Sequence, residues 1–95
     1  MKAVFIAYNE AMEDHVLEAL HKSFIKGYTA WEHIKGVGSN DGEPHLGSHA
    51  WPTMNSGIIT FVEDDLVKGL KERLKKADEE NSRLGLRFFS WSVDD

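Results

Sequence analysis

The feature that most constrains this 95-residue chain is the alternation of two hydrophobic periods: runs with strand spacing are interrupted twice by stripes with helical spacing. Residues 2–8 (KAVFIAY) form an apolar run rich in β-formers, as expected of a strand covered on both faces. Asn9 then offers an N-cap, and Glu10, Glu13 and Asp14 complement the positive end of a helix. Met12, Val16, Leu20 and Phe24 recur at every fourth position with Leu17 beside them. Lys22 and Lys26 occupy the last turns and Gly27 suits a left-handed C′ position, so the spacing predicts a helix over 10–26.

Residues 28–37 (YTAWEHIKGV) carry the aromatic and β-branched residues of a second strand. From 38 to 56 Gly, Pro, Asn, Ser and His crowd together without periodicity, which marks a long loop of the kind that usually carries function. Residues 57–63 (GIITFVE) are a third strand. Asp64 or Asp65 caps a second helix whose Leu66, Val67, Leu70, Leu74 and Ala77 face inward, while Lys68, Lys71, Lys75 and Lys76 stay mostly outside. Asn81, Ser82 and Gly85 end it, and residues 86–93 (LRFFSWSV) are the last strand.

The order β-α-β-β-α-β over a single domain, residues 1–95, is solved by two right-handed crossovers. The fold class is therefore α+β and ferredoxin-like, a four-stranded antiparallel sheet with two helices on one face. Residues 3–8 and 57–63 are expected at its centre, with Val4, Ile6, Val16, Leu20, Ile59, Phe61, Leu70 and Leu74 in the core. Tyr28, Trp31, Phe61, Phe88, Phe89 and Trp91 are more large rings than a one-sided core of this size can hold. Some must lie on the open sheet face, where a patch of that kind marks an association surface.

Composition narrows the function. Without cysteine there is no disulfide, no thiolate ligand and no thiol nucleophile. A net charge of −5 opposes binding to nucleic acid or an anionic membrane. The run at 3–8 is too short for a membrane span or a signal-peptide core, so no membrane insertion and a cytoplasmic location are expected. Ser23, Ser39, Ser48, Ser56 and the histidines form no nucleophile–base pattern, so no catalytic residues are assigned and the chain is not read as an enzyme.

Ile34-Lys35-Gly36-Val37-Gly38 resembles the Val-Lys-Gly-Phe-Gly with which PII signal-transduction proteins leave their second strand. The direct entry from Met1–Lys2 into a strand and the acidic helix start at Glu63-Asp64-Asp65 extend the likeness over most of the chain. The resemblance implies a homotrimer packed through its sheets, small ligands held in clefts between subunits beneath the long loop, and a partner protein, such as a membrane transporter, that reads the loop. Gly36, Gly38, Asn40, Asp41 and Trp51 are then the ligand-loop residues, with Asn40 at or near the place of the family's metal- and keto-acid-holding glutamine. Where PII proteins carry a Gly-Asp-Gly-Lys phosphate cradle, this chain has Asn81-Ser82-Arg83-Leu84-Gly85-Leu86. Only Arg83 and Gly85 remain as nucleotide-binding candidates.

The loop concentrates metal-ligand chemistry. Imidazole suits Cu, Zn and Ni, carboxylates complete such sites, and a thioether favours Cu(I). His45, His49, Glu43, His33 and Met54 are therefore the expected ligands of a transition-metal ion, preferred over a nucleotide because the phosphate-binding elements are thin. His15 and His21, six apart on the first helix, are expected to be solvated surface residues. Three other readings compete: a nucleotide-binding PII-type regulator, a ligand-free adaptor trimer in which Trp51 and Pro52 merely pin the loop, and an RNA-binding module suggested by Thr60-Phe61-Val62 on this fold.

Overall fold

A computed structural model describes residues 1–37, 44–45 and 54–94. Strand β1 (Lys2–Asn9) runs between two antiparallel partners, β5 (Asn55–Val62) and β6 (Leu86–Ser92), and β2 (Thr29–Ile34) joins the far side of β5. The sheet order is β2-β5-β1-β6. Helices α1 (Glu13–Lys22) and α2 (Asp64–Glu80) supply the crossovers, which is the ferredoxin-like β-α-β-β-α-β arrangement. The most apolar strands, β1 and β5, lie at the centre, each with a hydrogen-bonded partner on both edges.

Register divides the sheet into two chemically distinct faces. Val4, Ile6 and Tyr8 of β1, Ile58 and Val62 of β5, and Leu86 of β6 are buried against the helices. Met12, Val16, Leu20, Val67, Leu70 and Leu74 complete that core. The opposite face carries Phe5 beside Ile59 and Phe89, and Ala3 between Phe61 and Trp91. A third row runs Trp31, Gly57, Ala7, Arg87. Trp31 keeps 47% exposure, Phe61 55%, Phe89 54% and Trp91 46%, so the surplus rings do stand outside the core.

Two expected core residues belong to that outer face instead. Ile59 is only partly buried and Phe61 is exposed, because Ile58, Thr60 and Val62 take the helix-facing positions of β5. Thr60 is tolerated there because its hydroxyl donates to the Gly27 carbonyl at 2.6 Å.

The first helix is shorter than the apolar stripe suggests. Asn9 caps a 3₁₀ turn (Glu10–Met12), its side-chain oxygen accepting from the Ala11 N–H at 2.9 Å, and α1 ends at Lys22. Phe24, with φ 63°, occupies the left-handed position expected for Gly27 and is 80% exposed. Its N–H reaches the His21 carbonyl and that of Ile25 reaches Leu20, the paired bonds of a Schellman motif. Ile25 thus enters the core in place of Phe24. At the second helix the N-cap is Glu63, one residue before the expected cap, and Asp64 pairs with the Met1 amine at 3.0 Å.

The expected second strand over 28–37 is broken. Between Trp31–Gly57 and Ile34–Asn55 the β2 side holds one extra residue, a bulge at which His33 adopts φ 56°. Beyond it β3 (Gly36–Val37) pairs with β4 (Pro44–His45) as a separate two-stranded ribbon. The 38–56 segment is therefore not one loop: Pro44 and His45 pair back, and Asn55 and Ser56 already belong to β5. Among the described residues no helix is long and apolar enough to cross a membrane.

Candidate functional site

Four strand ends meet at one end of the sheet, where β1 and β2 finish and β5 and β6 begin. The chain turns there through Asn9 and Glu10, whose backbone groups must find partners outside the ladder. The Asn9 N–H donates to the Gly85 carbonyl at 3.0 Å, and the Glu10 N–H donates to the Met54 carbonyl at 2.9 Å. The Glu10 carboxylate lies 2.9 Å from His33 Nδ1. One dipeptide therefore ties together the turn before β6, the residue entering β5 and the bulge of β2.

Beside this hub opens a cleft of about 390 Å³ lined by Asn9, Glu10, Glu13, Glu32, His33 and Ser56. Three carboxylates and one imidazole make it acidic, so it disfavours an uncompensated phosphate. Below it the Tyr8 hydroxyl donates to Glu13 Oε1 at 3.4 Å. Burial, reinforced by the nearby Glu13 carboxylate, pushes the Tyr8 phenol up to about 12.

The sequence-derived candidates distribute unevenly. His33, in the bulge, is engaged by Glu10, while Met54 contributes its carbonyl to the hub. His45 pairs through its backbone with Gly36 in the β3–β4 ribbon. Gly38, Asn40, Asp41, Glu43, His49 and Trp51 lie outside the described residues, as does Pro52. Among the described residues no group of three or more histidines and carboxylates is placed to hold a metal ion. Arg83 is exposed in the turn after α2, and Gly85 has φ 91°, a backbone conformation that favours glycine. His15 and His21 are exposed.

Asn9 and Glu10 carry a role that reading along the chain missed. The sequence marks Asn9 as a cap and Glu10 as a helix-dipole partner, and the cap is present. Their long-range contacts depend on strand pairing across the sheet, which no local spacing encodes.

The profile described as Nitrogen regulatory protein P-II matches residues 1–95. Among solved structures the chain is similar to CPII, a nitrogen regulatory PII-like protein from Thiomonas intermedia K12 bound to ADP, AMP and bicarbonate. The identity is 23% over 95% of this chain and 82% of that one, with a TM-score of 0.77. A PII-like signalling protein from Thermus thermophilus is 21% identical over 97% of this chain and 85% of its own, with a TM-score of 0.67. The apo form of CPII is 21% identical over 97% and 89%, again with a TM-score of 0.67. At these identities the likeness speaks for the fold. No protein of curated function matches the chain in sequence.

Proposed function

The chain belongs to the nitrogen regulatory protein P-II family, and from that premise we propose that it is a trimeric signalling regulator that binds an adenine nucleotide and reports it to a partner protein. The observation that carries the reading is the double tie at the end of β1. Asn9 holds the turn containing Gly85 while Glu10 holds the residue entering β5. A ligand bound at that turn is thereby linked mechanically to the base of the segment that follows β2. Gly85, with no Cβ and a left-handed backbone, lets a ligand approach the main chain closely, and the Arg83 guanidinium is suited to a phosphate.

The binding of ADP and AMP by CPII, on the same fold, supports a nucleotide ahead of the transition-metal ion. The half-exposed rings of the open sheet face support assembly through that face, and a trimer is the form we assign. The function is regulatory, with no catalytic step.

Isothermal titration with ADP and AMP tests this reading, with Zn, Cu and Ni salts run in parallel. Saturable nucleotide binding that persists in chelator and weakens in Arg83→Ala is the expected result. Binding of metal alone would return the function to the metal reading, and binding of neither would favour a ligand-free adaptor.

A further inference from the structure

A groove of about 260 Å³ runs between the two helices, away from the open sheet face and lined by none of the residues of the hub. Buried Ala19 of α1 and Ala77 of α2 line it with small side chains. On the α1 wall Lys22 is committed to Glu18 at 2.7 Å. On the α2 wall Arg73 and Lys76, three residues apart and so neighbours on one helix face, are exposed and without an ion pair among the described residues. Glu80, one turn beyond Lys76, also lines the groove but makes no ion pair with it. Arg73 is held in place. Its Nη1 donates to Ser23 Oγ at 3.3 Å, and the buried Ser23 hydroxyl in turn donates to the Ala19 carbonyl at 2.7 Å. One turn earlier on α2, Gly69 leaves room for the guanidinium, since a Cβ there would stand 3.0 Å from Nη1. Glycine is unfavourable in a helix interior, and no positive φ calls for it at this position. A neutral hydroxyl therefore orients the guanidinium without neutralising it, and its other N–H donors stay available.

We infer that Arg73 and Lys76 form a phosphate-binding site in the groove between α1 and α2. Two cations without an internal counter-charge match a phosphate group, which carries roughly −1.5 to −2 at pH 7. The guanidinium offers parallel N–H donors to two of its oxygens, and the ammonium adds a point charge beside them. His15, on the α1 wall, offers a further ring N–H. The site stands apart from the nucleotide reading above, because Arg83 and Gly85 take no part in the groove. The phosphate is either the free ion or the head of a phosphomonoester. The opposing reading is that Arg73 only complements the carbonyls at the end of α1.

The test uses the full chain as wild type, Arg73→Ala, Arg73→Lys, Lys76→Gln and Arg83→Ala. Each is titrated with inorganic phosphate, with methyl phosphate, and with acetate at matched ionic strength, while backbone amide NMR shifts are followed. In wild type, saturable shifts are expected at Ser23 and across residues 69–76 with phosphate and not with acetate. Arg73→Ala should lose about tenfold or more in phosphate affinity. Lys76→Gln should also weaken it, and Arg73→Lys should fall between wild type and Arg73→Ala, because an ammonium keeps the charge without the fork. Arg83→Ala should leave these shifts and this affinity unchanged, which separates the groove from the nucleotide site. Tighter binding of inorganic phosphate assigns the free ion, and binding of methyl phosphate as tight or tighter assigns a phosphomonoester; either supports the site. No saturable shift in wild type, an equal response to acetate, or affinity unchanged in Arg73→Ala would overturn it. Should Arg73→Ala not fold, undiminished phosphate affinity in Lys76→Gln would overturn it equally.

Discussion

Phe24 holds a large ring on a left-handed backbone, a conformation that costs a non-glycine residue roughly 1–2 kcal/mol. Its ring is 80% exposed, so replacement forfeits little burial in the isolated domain. Glycine would relieve the backbone strain but add chain entropy to the unfolded state, roughly 0.5–1 kcal/mol. Phe24→Gly should therefore stabilise the folded domain by about 0.5–1 kcal/mol in urea unfolding, and a loss would show that the ring packs. Tyr8 gives a pH signature. Its folded pKa is raised from 10.0 to about 12, so above pH 10 the unfolded chain releases a proton that the folded chain keeps. This contribution is complete below pH 10 and is lost as pH rises towards 12. Tyr8→Phe should flatten that part of the stability profile. Residue types that announce chemistry were readable here, whereas residues that work through tertiary contacts were not. The Asn9 cap is a local signal, but its backbone bond to Gly85 spans most of the chain.

At the scale of elements, α2 follows its periodicity closely, with Val67, Leu70, Leu74 and Ala77 buried on one stripe. Leu70 is fully buried, and Leu70→Ala should cost about 2–5 kcal/mol by chemical denaturation. A cost below about 1 kcal/mol would mean that the stripe is not packed. Strand β5 was legible as a strand but not in its parity. In GIITFV nearly every residue is a β-former, so alternation gives no phase, and the large Phe61 looks more like core than Thr60. The reverse holds because the Gly27 carbonyl satisfies the Thr60 hydroxyl. Thr60→Val should leave that carbonyl without its donor and cost about 1–2 kcal/mol, measured by urea unfolding. The single extra residue of β2 was equally hidden, since one inserted position leaves composition intact while displacing everything beyond it. The contact of Glu10 with His33 was hidden as well, since it joins residues 23 apart across the sheet end and no local spacing encodes it.

At the scale of the molecule, the domain has one core between sheet and helices and a second apolar face that faces outward. Charging that second face separates assembly from folding. Phe89→Glu should leave the domain folded, because the ring lies outside the core, while sedimentation equilibrium should report dissociation of the proposed trimer. An unchanged assembly would place the interface elsewhere. The hub at the end of β1 sits where a ligand, the β6 turn and the base of the β3–β4 ribbon can influence one another. Thermal unfolding with ADP in chelator, run against Zn, Cu and Ni salts, decides whether this P-II family chain takes a nucleotide as its ligand. At a hundredfold excess over its dissociation constant ADP should add ~2.7 kcal/mol and raise the midpoint by roughly 10–20 °C. An unmoved midpoint with ADP alongside a rise with one of the metals would mean that the ligand is a metal ion and not a nucleotide.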